Sequence, residues 1–364
     1  MSARWTADHI RAADAGATRA PLILAAHVSR IAPDLDIWDA WPIQLRDGTP
    51  LALDDGSQLW MALAAPQFPD PDERHGHARI HLFRHQAGAW RALGPAMPDG
   101  FSPGSREWSG SAIFDPESRT VTLYFTAAGR RGEAALSFEQ RLFSARATLT
   151  GDARLDQWRD LAEIVQPDPA HYMPTSGAGG GIGTIKAFRD PAYFRDPADG
   201  SHYLFFAGSL AGSSSAFNGV VGFAYAPPDQ PDDWTLFPPL IVADGLNNEL
   251  ERPHVVHHAG LYYLFWSTQR HVFDPAGPTG PTGLYGMVSS HLRAGWRPLN
   301  GSGLVFANPV EALAQAYSWM VLPDLRVTSF IDDWGGGADR RFGGTFAPFI
   351  QLWLKGDTAG IIAS

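Results

Sequence analysis

The sequence predicts an all-β fold, a five-bladed β-propeller with a central, funnel-shaped functional site. An aromatic strand pattern occurs five times along the chain, and a turn segment of Gly, Pro or Asp precedes each copy. An apolar strand precedes each turn, so every copy begins with strand, tight turn, strand. Propeller blades typically contain four strands around a central channel, and five copies therefore predict five blades.

The five copies share one internal order. A large β-sandwich or two separate β domains are the alternatives, but the shared order favours the propeller. Helical periodicity is scarce, and we expect short helices only at residues 6–15 and 310–316. The glycine-rich segment 176–183 is expected to be a loop that lengthens one of the repeats. The aromatic strands occupy residues 58–62, 122–126, 203–207, 263–267 and 328–332.

The composition is that of a globular protein with many turns. The chain has 364 residues, of which 45% are hydrophobic, and 13 Trp and 21 Phe supply ample material for a core. We expect one catalytic domain over residues 1–364, with residues 1–30 forming an N-terminal extension that packs on the propeller. The absence of Cys excludes disulfides, a thiol nucleophile and thiolate metal sites.

The charge pattern limits the classes of partner. The net charge is −10 and no basic run occurs, so nucleic acid is not an expected partner. Apolar segments are too short to span a bilayer, and a membrane partner is not expected either. The N-terminus lacks the apolar region of a secretory signal, so we expect a cytoplasmic protein, or one exported without a cleaved signal peptide.

The first strand of each copy carries polar residues suited to chemistry. The innermost strands of a propeller face one channel, so residues at corresponding positions of these strands converge although they are distant in sequence. We expect such a convergence here, at one position in each of the five copies. The five residues are Asp39, Ser109, Asp190, Glu251 and Tyr317.

The tetrapeptide Phe-Arg-Asp-Pro occurs twice, at residues 188–191 and 194–197. Asp190 aligns with the other polar residues of the first strands, and we assign it to the site. Asp196 lies in the following Asp-Pro and Asp-Gly segment, which is typical of a chain reversal, and we assign it to the turn.

Three carboxylates that converge suit glycoside chemistry. A retaining glycosidase needs an ionised carboxylate as nucleophile and a protonated carboxyl as acid, about 5 to 5.5 Å apart. Burial or neighbouring negative charge raises the pKa of the acid. Arg189 and Arg252 would hold the other carboxylates ionised, and Trp38, Trp41 and Trp108 offer flat apolar faces to a sugar ring.

At these residues the chain resembles glycoside hydrolase family 68. The motifs are WDAWP, EWSGS, FRDP, ERPHVV, GLYGMVS, PLNGSGLV and QAYS, and they occur in this order over nearly the whole chain. The resemblance implies a five-bladed propeller with Asp39 as nucleophile, Glu251 as general acid/base and Asp190 as transition-state stabiliser. The positions that it implies for sucrose binding or site support are Trp38, Trp108, Ser109, Arg189, Glu249, Arg252, Gln269 and Tyr317.

The expected function is that of a retaining β-fructofuranosidase, which cleaves sucrose and transfers fructose to short fructooligosaccharides. This choice rests on two departures from the family pattern, because Ala192 replaces a common His and Gln269 replaces a common Arg or His. A levansucrase or inulosucrase that polymerises fructose is the alternative. Another propeller glycosidase and a non-catalytic sugar-binding propeller also stay open.

No cofactor and no metal are expected. Some members of the family bind calcium through an Asp shortly before the Arg-Asp-Pro motif, and residues 179–188 contain no Asp. A marked fall in melting temperature on addition of EDTA would contradict this expectation.

Overall fold

The computed structural model describes residues 2–13, 18–174, 185–336 and 340–362. The predicted loop at 176–183 lies outside them. The chain begins with a short strand, β1 (Ala3–Arg4), and a helix, α1 (Ala7–Arg11), followed by a 3-10 turn at Ala25–His27.

The first two blades are regular antiparallel sheets of four strands. Parallel pairing of Ile43 with Ala112 and of Gln44 with Ile113 joins their innermost strands. Blade 1 contains β2 (Leu35–Gln44), β3 (Gln58–Pro66), β4 (Arg79–Gln86) and β5 (Ala89–Pro95), with a 3-10 helix at Pro71–Gly76. Blade 2 contains β6 (Arg106–Asp115), β7 (Thr120–Ala128), β8 (Gln140–Leu149) and β9 (Leu155–Val165).

The remaining blades are built in the same way, with additions at their outer edges. Blade 3 contains β10 (Phe188–Arg195), β11 (His202–Ser209), β12 (Gly219–Ala226) and β13 (Thr235–Val242). Blade 4 contains β14 (Glu251–His258), β15 (Leu261–Thr268), β16 (Gly283–Ser289), β17 (Arg297–Pro298) and β18 (Leu304–Ala307), with 3-10 helices at Arg270–Val272 and Leu299–Gly301. Blade 5 contains β19 (Ala316–Val321), β20 (Arg326–Asp333), β21 (Phe342–Phe346), β22 (Ile350–Lys355) and β23 (Thr358–Ile361).

The five first strands close a ring. Each of β2, β6, β10 and β14 contacts the first strand of the next blade, and β19 contacts β2. The five-bladed propeller predicted from the repeats is therefore confirmed. All five aromatic segments form the second strand of a blade, as predicted, and each pairs antiparallel with the strand that precedes it.

Aromatic side chains pack between neighbouring blades. Tyr124 of blade 2 stacks on Tyr193 of blade 3 with ring centroids 5.8 Å apart. Between blades 4 and 5, Phe306 packs edge-to-face against Trp319. Such pairs contribute about 0.5–1.5 kcal/mol each beyond the area that they bury.

The predicted helices are only partly present. The first prediction, residues 6–15, is met by the shorter α1. The second, 310–316, is wrong, because turn hydrogen bonds from Ala312 N to Pro309 O and from Gln315 N to Ala312 O shape that segment. No helix in the described part of the chain is long and apolar enough to cross a membrane.

The N-terminal residues run across three blades. β1 pairs in parallel with β13 of blade 3, and Ala20 N donates to Ala307 O of blade 4. Ile23 N donates to the side-chain oxygen of Gln315, beside blade 5. Trp5 is 1% exposed, packs against Trp266 and Tyr285, and donates from Nε1 to Ser302 O at 2.9 Å.

Replacement of Trp5 by Ala is expected to lower the free energy of unfolding by about 3–5 kcal/mol, because it leaves a large cavity and removes a buried hydrogen bond. Urea unfolding of the full chain measures this loss. Leu24→Ala is the matched control, since Leu24 lies in the same extension but is 54% exposed. Equal stability of the two variants would contradict a role for Trp5 in tying the extension to blade 4.

Candidate active site

A β-bulge interrupts every first strand at the same point. The pairing with the second strand shifts after Trp38, Trp108, Arg189, Glu251 and Tyr317. In four blades the next residue has a left-handed backbone, with φ of 53° at Asp39, 64° at Asp190, 48° at Arg252 and 60° at Ser318. A bulge redirects a side chain locally, which is why bulges occur next to active sites.

In blade 2 the bulge depends on a glycine. A Cβ atom added at Gly110 would lie 1.9 Å from Tyr124 O, so only glycine permits this approach of the two strands. The Trp108-Ser109-Gly110 order thus reproduces in blade 2 the bend that a positive φ gives in the other blades.

The bulges arrange the site in two tiers, and this corrects the predicted alignment. Asp39, Ser109 and Asp190 occupy corresponding positions in the bulge, as predicted. Glu251 and Tyr317 instead lie one residue before it. Counting back from the second strand cannot detect this offset, because the turns between the strands differ in length. The upper tier, before the bulge, comprises Trp38, Trp108, Arg189, Glu251 and Tyr317. The lower tier, in the bulge, comprises Asp39, Ser109, Asp190, Arg252 and Ser318.

All residues of the two tiers except Ser318 line a cavity of about 790 Å³, a volume in the usual range of ligand pockets. The residues that the family resemblance implies for the site all line it. The expectation for Trp41 is wrong, because its side chain is fully buried in the hydrophobic core and does not reach the cavity. Within the described residues, Trp108 Nε1 and Arg189 NH1 are buried donors without a hydrogen-bond partner. Buried polar groups are normally paired, so these donors are suited to hydroxyl groups of a ligand.

Asp39 is held by a neighbour from the next blade. Ser109 Oγ donates to Asp39 Oδ2 at 2.7 Å. This hydrogen bond fixes the orientation of the Asp39 carboxyl group in the cavity.

Glu251 is fixed on both of its oxygen atoms. Arg189 NH2 donates to Oε1 at 2.6 Å, and the Tyr317 hydroxyl donates to Oε2 in a short hydrogen bond. Arg189 also lies 3.6 Å from Glu249 Oε1 and 3.6 Å from Asp190 Oδ2. One buried guanidinium therefore faces three carboxylates that come from two blades.

Burial raises the pKa of two of these carboxylates. Desolvation, together with the charges of Glu251 and Asp39, raises the pKa of Asp190 to about 7, although Arg189 opposes the shift. Desolvation and the charge of Glu251 raise the pKa of Glu249 to about 8. Asp190 and Glu249 therefore bind protons near neutral pH, so the expectation that Arg189 and Arg252 hold them ionised is not met.

Arg252 is engaged with the protein itself. Its NH1 donates to Ser318 O and Oγ at 3.2 and 2.9 Å, and its NH2 donates to Ala40 O at 2.7 Å. Arg252 thereby links β14 to β19 and β2, and it stabilises the bulges on either side.

The rim of the cavity contains residues that were not predicted to belong to a site. The guanidinium of Arg74 lies 5.3 Å from the ring centroid of Trp38 and 4.3 Å from that of Phe342. Arg340 binds Asp72 with both terminal nitrogens, at 2.9 and 3.0 Å. Asp72 and Arg74 belong to the 3-10 helix of blade 1, and Arg340 belongs to a loop of blade 5. The Asp70-Pro71 pair, which is typical of the start of a helical turn, is the feature of the sequence that could have indicated the first of these segments.

His75 also lines the cavity. Its ring lies edge-on to Trp38, with centroids 6.0 Å apart. Burial and the charge of Arg74 lower the pKa of His75 to about 4, so its ring stays neutral at physiological pH.

The two residues that depart from the family pattern lie in different places. Gln269 lines the main cavity, just after β15. Ala192 does not, and lines a smaller cavity of about 240 Å³ beyond the bulges. Asp196 stabilises the turn after β10, as predicted, where it accepts from Ala198 N and from the hydroxyl of Tyr262.

Among the described residues, no group of three His, Asp or Glu side chains is arranged to hold a metal ion. The segment 179–188, on which the expectation about calcium rests, lies partly outside these residues.

Comparison with known proteins supports the resemblance stated above. The profile of the Levansucrase/Invertase family of glycoside hydrolases matches residues 1–220 and 212–362. Levansucrase LscC of Pseudomonas savastanoi pv. glycinea is 32% identical over 396 residues, which cover 97% of this chain and 89% of the relative. The levansucrase of Rahnella aquatilis is also 32% identical, with coverage of 97% and 92%.

Solved structures share the fold. The inulosucrase from Halalkalicoccus jeotgali, bound to kestose, superposes with a TM-score of 0.90 at 36% identity, covering 99% of this chain and 95% of its own. The levansucrase from Gluconacetobacter diazotrophicus superposes with a TM-score of 0.86 at 25% identity, covering 100% and 90%.

Replacement of Asp190 by Asn is expected to change stability in a pH-dependent way. The folded-state pKa near 7 lies above that of an unfolded Asp, so the folded wild type binds the extra proton and loses stability as the pH rises from about 4 to 7. Asn does not titrate, so the variant should gain on the wild type by on the order of 2 kcal/mol between pH 5 and pH 8.

Urea unfolding of both proteins at pH 5 and pH 8 measures this difference. The prediction fails if the stability of the variant relative to the wild type is the same at pH 5 and pH 8, or is higher at pH 5. Either result would show that Asp190 is ionised in the folded protein at both pH values.

Proposed function

The chain belongs to glycoside hydrolase family 68, the levansucrase and invertase family, and from that premise we propose that it transfers fructosyl groups from sucrose to other sugars, as a levansucrase or inulosucrase does. The relatives named above are levansucrases and an inulosucrase. Their names favour the polymerising alternative over the β-fructofuranosidase that was first expected.

The observation that carries the proposal is the pairing of two differently held carboxylates across one cavity. Asp39 accepts from a neutral hydroxyl and keeps its second oxygen unbonded among the described side chains. Glu251 instead accepts from the Arg189 guanidinium and from the Tyr317 hydroxyl, beside Asp190 and Glu249. This difference supports Asp39 as the nucleophile and Glu251 as the acid.

In the first step, Asp39 attacks the anomeric carbon of the fructosyl unit while Glu251 protonates the glycosidic oxygen. Glucose leaves, and an ester joins fructose to Asp39. Arg189 can only donate and therefore keeps Oε1 of Glu251, whereas the Tyr317 hydroxyl can rotate and release Oε2. We infer that Oε2 carries the catalytic proton.

In the second step, Glu251 takes the proton from an acceptor hydroxyl, which attacks the same carbon and releases Asp39. The acceptor is a sugar in transfer and water in hydrolysis. Asp190, buried and with a raised pKa, is suited to hydrogen bonds with fructosyl hydroxyls as positive charge develops on the ring.

Of the two residues that favoured a mainly hydrolytic enzyme, only Gln269 lines the cavity. Ala192 lies outside the cavity, so its identity does not alter the contacts of an acceptor sugar. Gln269 remains at the cavity wall, and a neutral amide there still offers both a donor and an acceptor to sugar hydroxyls.

The product balance of a sucrose digest tests the proposal. We expect free glucose to exceed free fructose, with the missing fructose recovered in fructosyl oligomers or polymers on gel filtration. Equal release of both sugars would identify a simple hydrolase. Cleavage of other fructosides but not of sucrose would point to a different propeller glycosidase.

Two variants test the assigned roles. Asp39→Asn is expected to lower glucose release roughly 10⁴-fold or more, and Glu251→Gln roughly 10²- to 10⁴-fold. Glu117→Gln, an exposed carboxylate in the turn between β6 and β7, is the control and should keep the wild-type rate. Turnover by Asp39→Asn close to the wild-type rate would exclude Asp39 as the nucleophile.

A further inference from the structure

Lys186 occupies an unusual position between two blades. Its ammonium group donates to three oxygen atoms: Ala216 O, Asn218 Oδ1 at 2.8 Å and Asn248 Oδ1 at 2.6 Å. An ammonium has three N–H donors, so the three acceptors use all of them. The acceptors come from two further segments of chain, the β11–β12 connection and the segment before β14.

The segments joined by Lys186 lead directly into the site. Lys186 is three residues before Arg189, and Asn248 immediately precedes Glu249 and is three residues before Glu251. None of the joined residues lies within a regular strand of the sheets. Their relative position therefore depends on these local contacts and on an isolated bridge between Asn218 and Asn247, rather than on a continuous ladder of backbone hydrogen bonds.

Other contacts converge on the same place. Asn248 Nδ2 donates to Ile185 O at 3.3 Å, so the amide of Asn248 binds the Lys186 segment through both of its ends. Gly219 N donates to Asn247 O, and a Cβ atom on Gly219 would lie 2.8 Å from the backbone of Asn248. The three segments are packed too closely to separate without displacing one another.

The backbone of Lys186 is held on its other side by blade 2. Gln140 Nε2 donates to Lys186 O at 2.8 Å, and Phe188 N donates to Gln140 Oε1 at 3.0 Å. The strand that carries Arg189 and Asp190 is thus anchored to blade 2 by its backbone and to blade 4 by the Lys186 side chain.

We propose that Lys186 is a positioning residue for the transfer reaction, a half-buried cation that fixes the segment bearing Glu249 and Glu251 against the strand bearing Arg189. The distance from Arg189 to Glu251 then depends on an ammonium bound to three oxygens some residues away. This proposal rests on the proposed function for its catalytic consequence, but the contact itself is structural.

The chemistry of the acceptors explains why a cation is needed here. A backbone carbonyl and two amide oxygens present three negative dipole ends to one point, and they would repel one another without a positive group between them. An apolar side chain would leave the buried amide oxygens of Asn218 and Asn248 without that partner, at a cost typical of lost hydrogen bonds.

Lys186→Met tests the proposal, because Met keeps the length of the side chain and removes its charge and donors. We expect kcat on sucrose to fall about tenfold or more while KM stays within about threefold, since misplacement of the acid affects the reaction step more than ground-state binding. Lys186→Arg keeps the charge and several donors, and should recover part of kcat.

The control is Lys355→Met, since Lys355 is the other lysine of the chain and is exposed in β22 of blade 5. It should keep both kcat and the melting temperature. All rates are measured well below the melting temperature of each variant, with the folded fraction determined by circular dichroism. Wild-type kcat in folded Lys186→Met would overturn the positioning role, even if its melting temperature were lower.

Asn218→Ala replaces Lys186→Met as the decisive variant if the latter does not fold, because it removes one acceptor of the three. A kcat loss with little change in KM supports the proposal, and an unchanged kcat overturns it. EDTA should leave the wild-type melting temperature unchanged, since the ammonium already occupies the point where the oxygens meet.

The wild-type assay separates this proposal from the proposed function. Absence of glucose release by the wild type would refute the sucrose activity alone. The melting temperatures of Lys186→Met and Lys355→Met would then still decide whether Lys186 clamps the two blades, with equal values refuting the clamp.

Discussion

The bulge in each first strand is the constraint on which the site depends. A regular strand presents alternate residues to opposite faces, so it would offer the cavity only one residue in two. The bulge lets consecutive residues such as Trp38 and Asp39, or Arg189 and Asp190, both reach the cavity. Left-handed backbones at non-glycine residues cost of order 1–3 kcal/mol each, and the close packing of the ring maintains them.

The same geometry places several carboxyl groups close together, which raises the pKa of some of them. Several carboxylates are brought together out of water, and Arg189 is the cation that contacts three of them. One positive charge does not neutralise three negative ones, so the remaining carboxyls bind protons more tightly, as the raised pKa values of Asp190 and Glu249 show. A second arginine in the same tier would lower the pKa of Asp190 and Glu249 and favour their ionised forms.

Much of the fold could be predicted from sequence, because the strand, turn and aromatic pattern is local and recurs five times. The residues named for the site also line one cavity, since they lie on strands whose order follows from the repeats. The two tiers could not be predicted, because a bulge changes register without a clear sequence signal. The rim could not either, since Arg340 and Asp72 meet across 268 residues of sequence through loop conformation alone.

The ring and the rim have different consequences for the reaction. In the proposed reaction, Asp39, Glu251 and Arg189 act on the fructosyl donor and serve hydrolysis and transfer equally, because both proceed through the same ester. The partition between water and sugar is decided afterwards, by what binds at the mouth of the cavity. Neutral His75 and Gln269 offer hydrogen bonds there, beside the charged Arg340–Asp72 pair. We infer that these rim side chains set the extent of transfer, whereas the residues on the five first strands set the rate at which sucrose is cleaved.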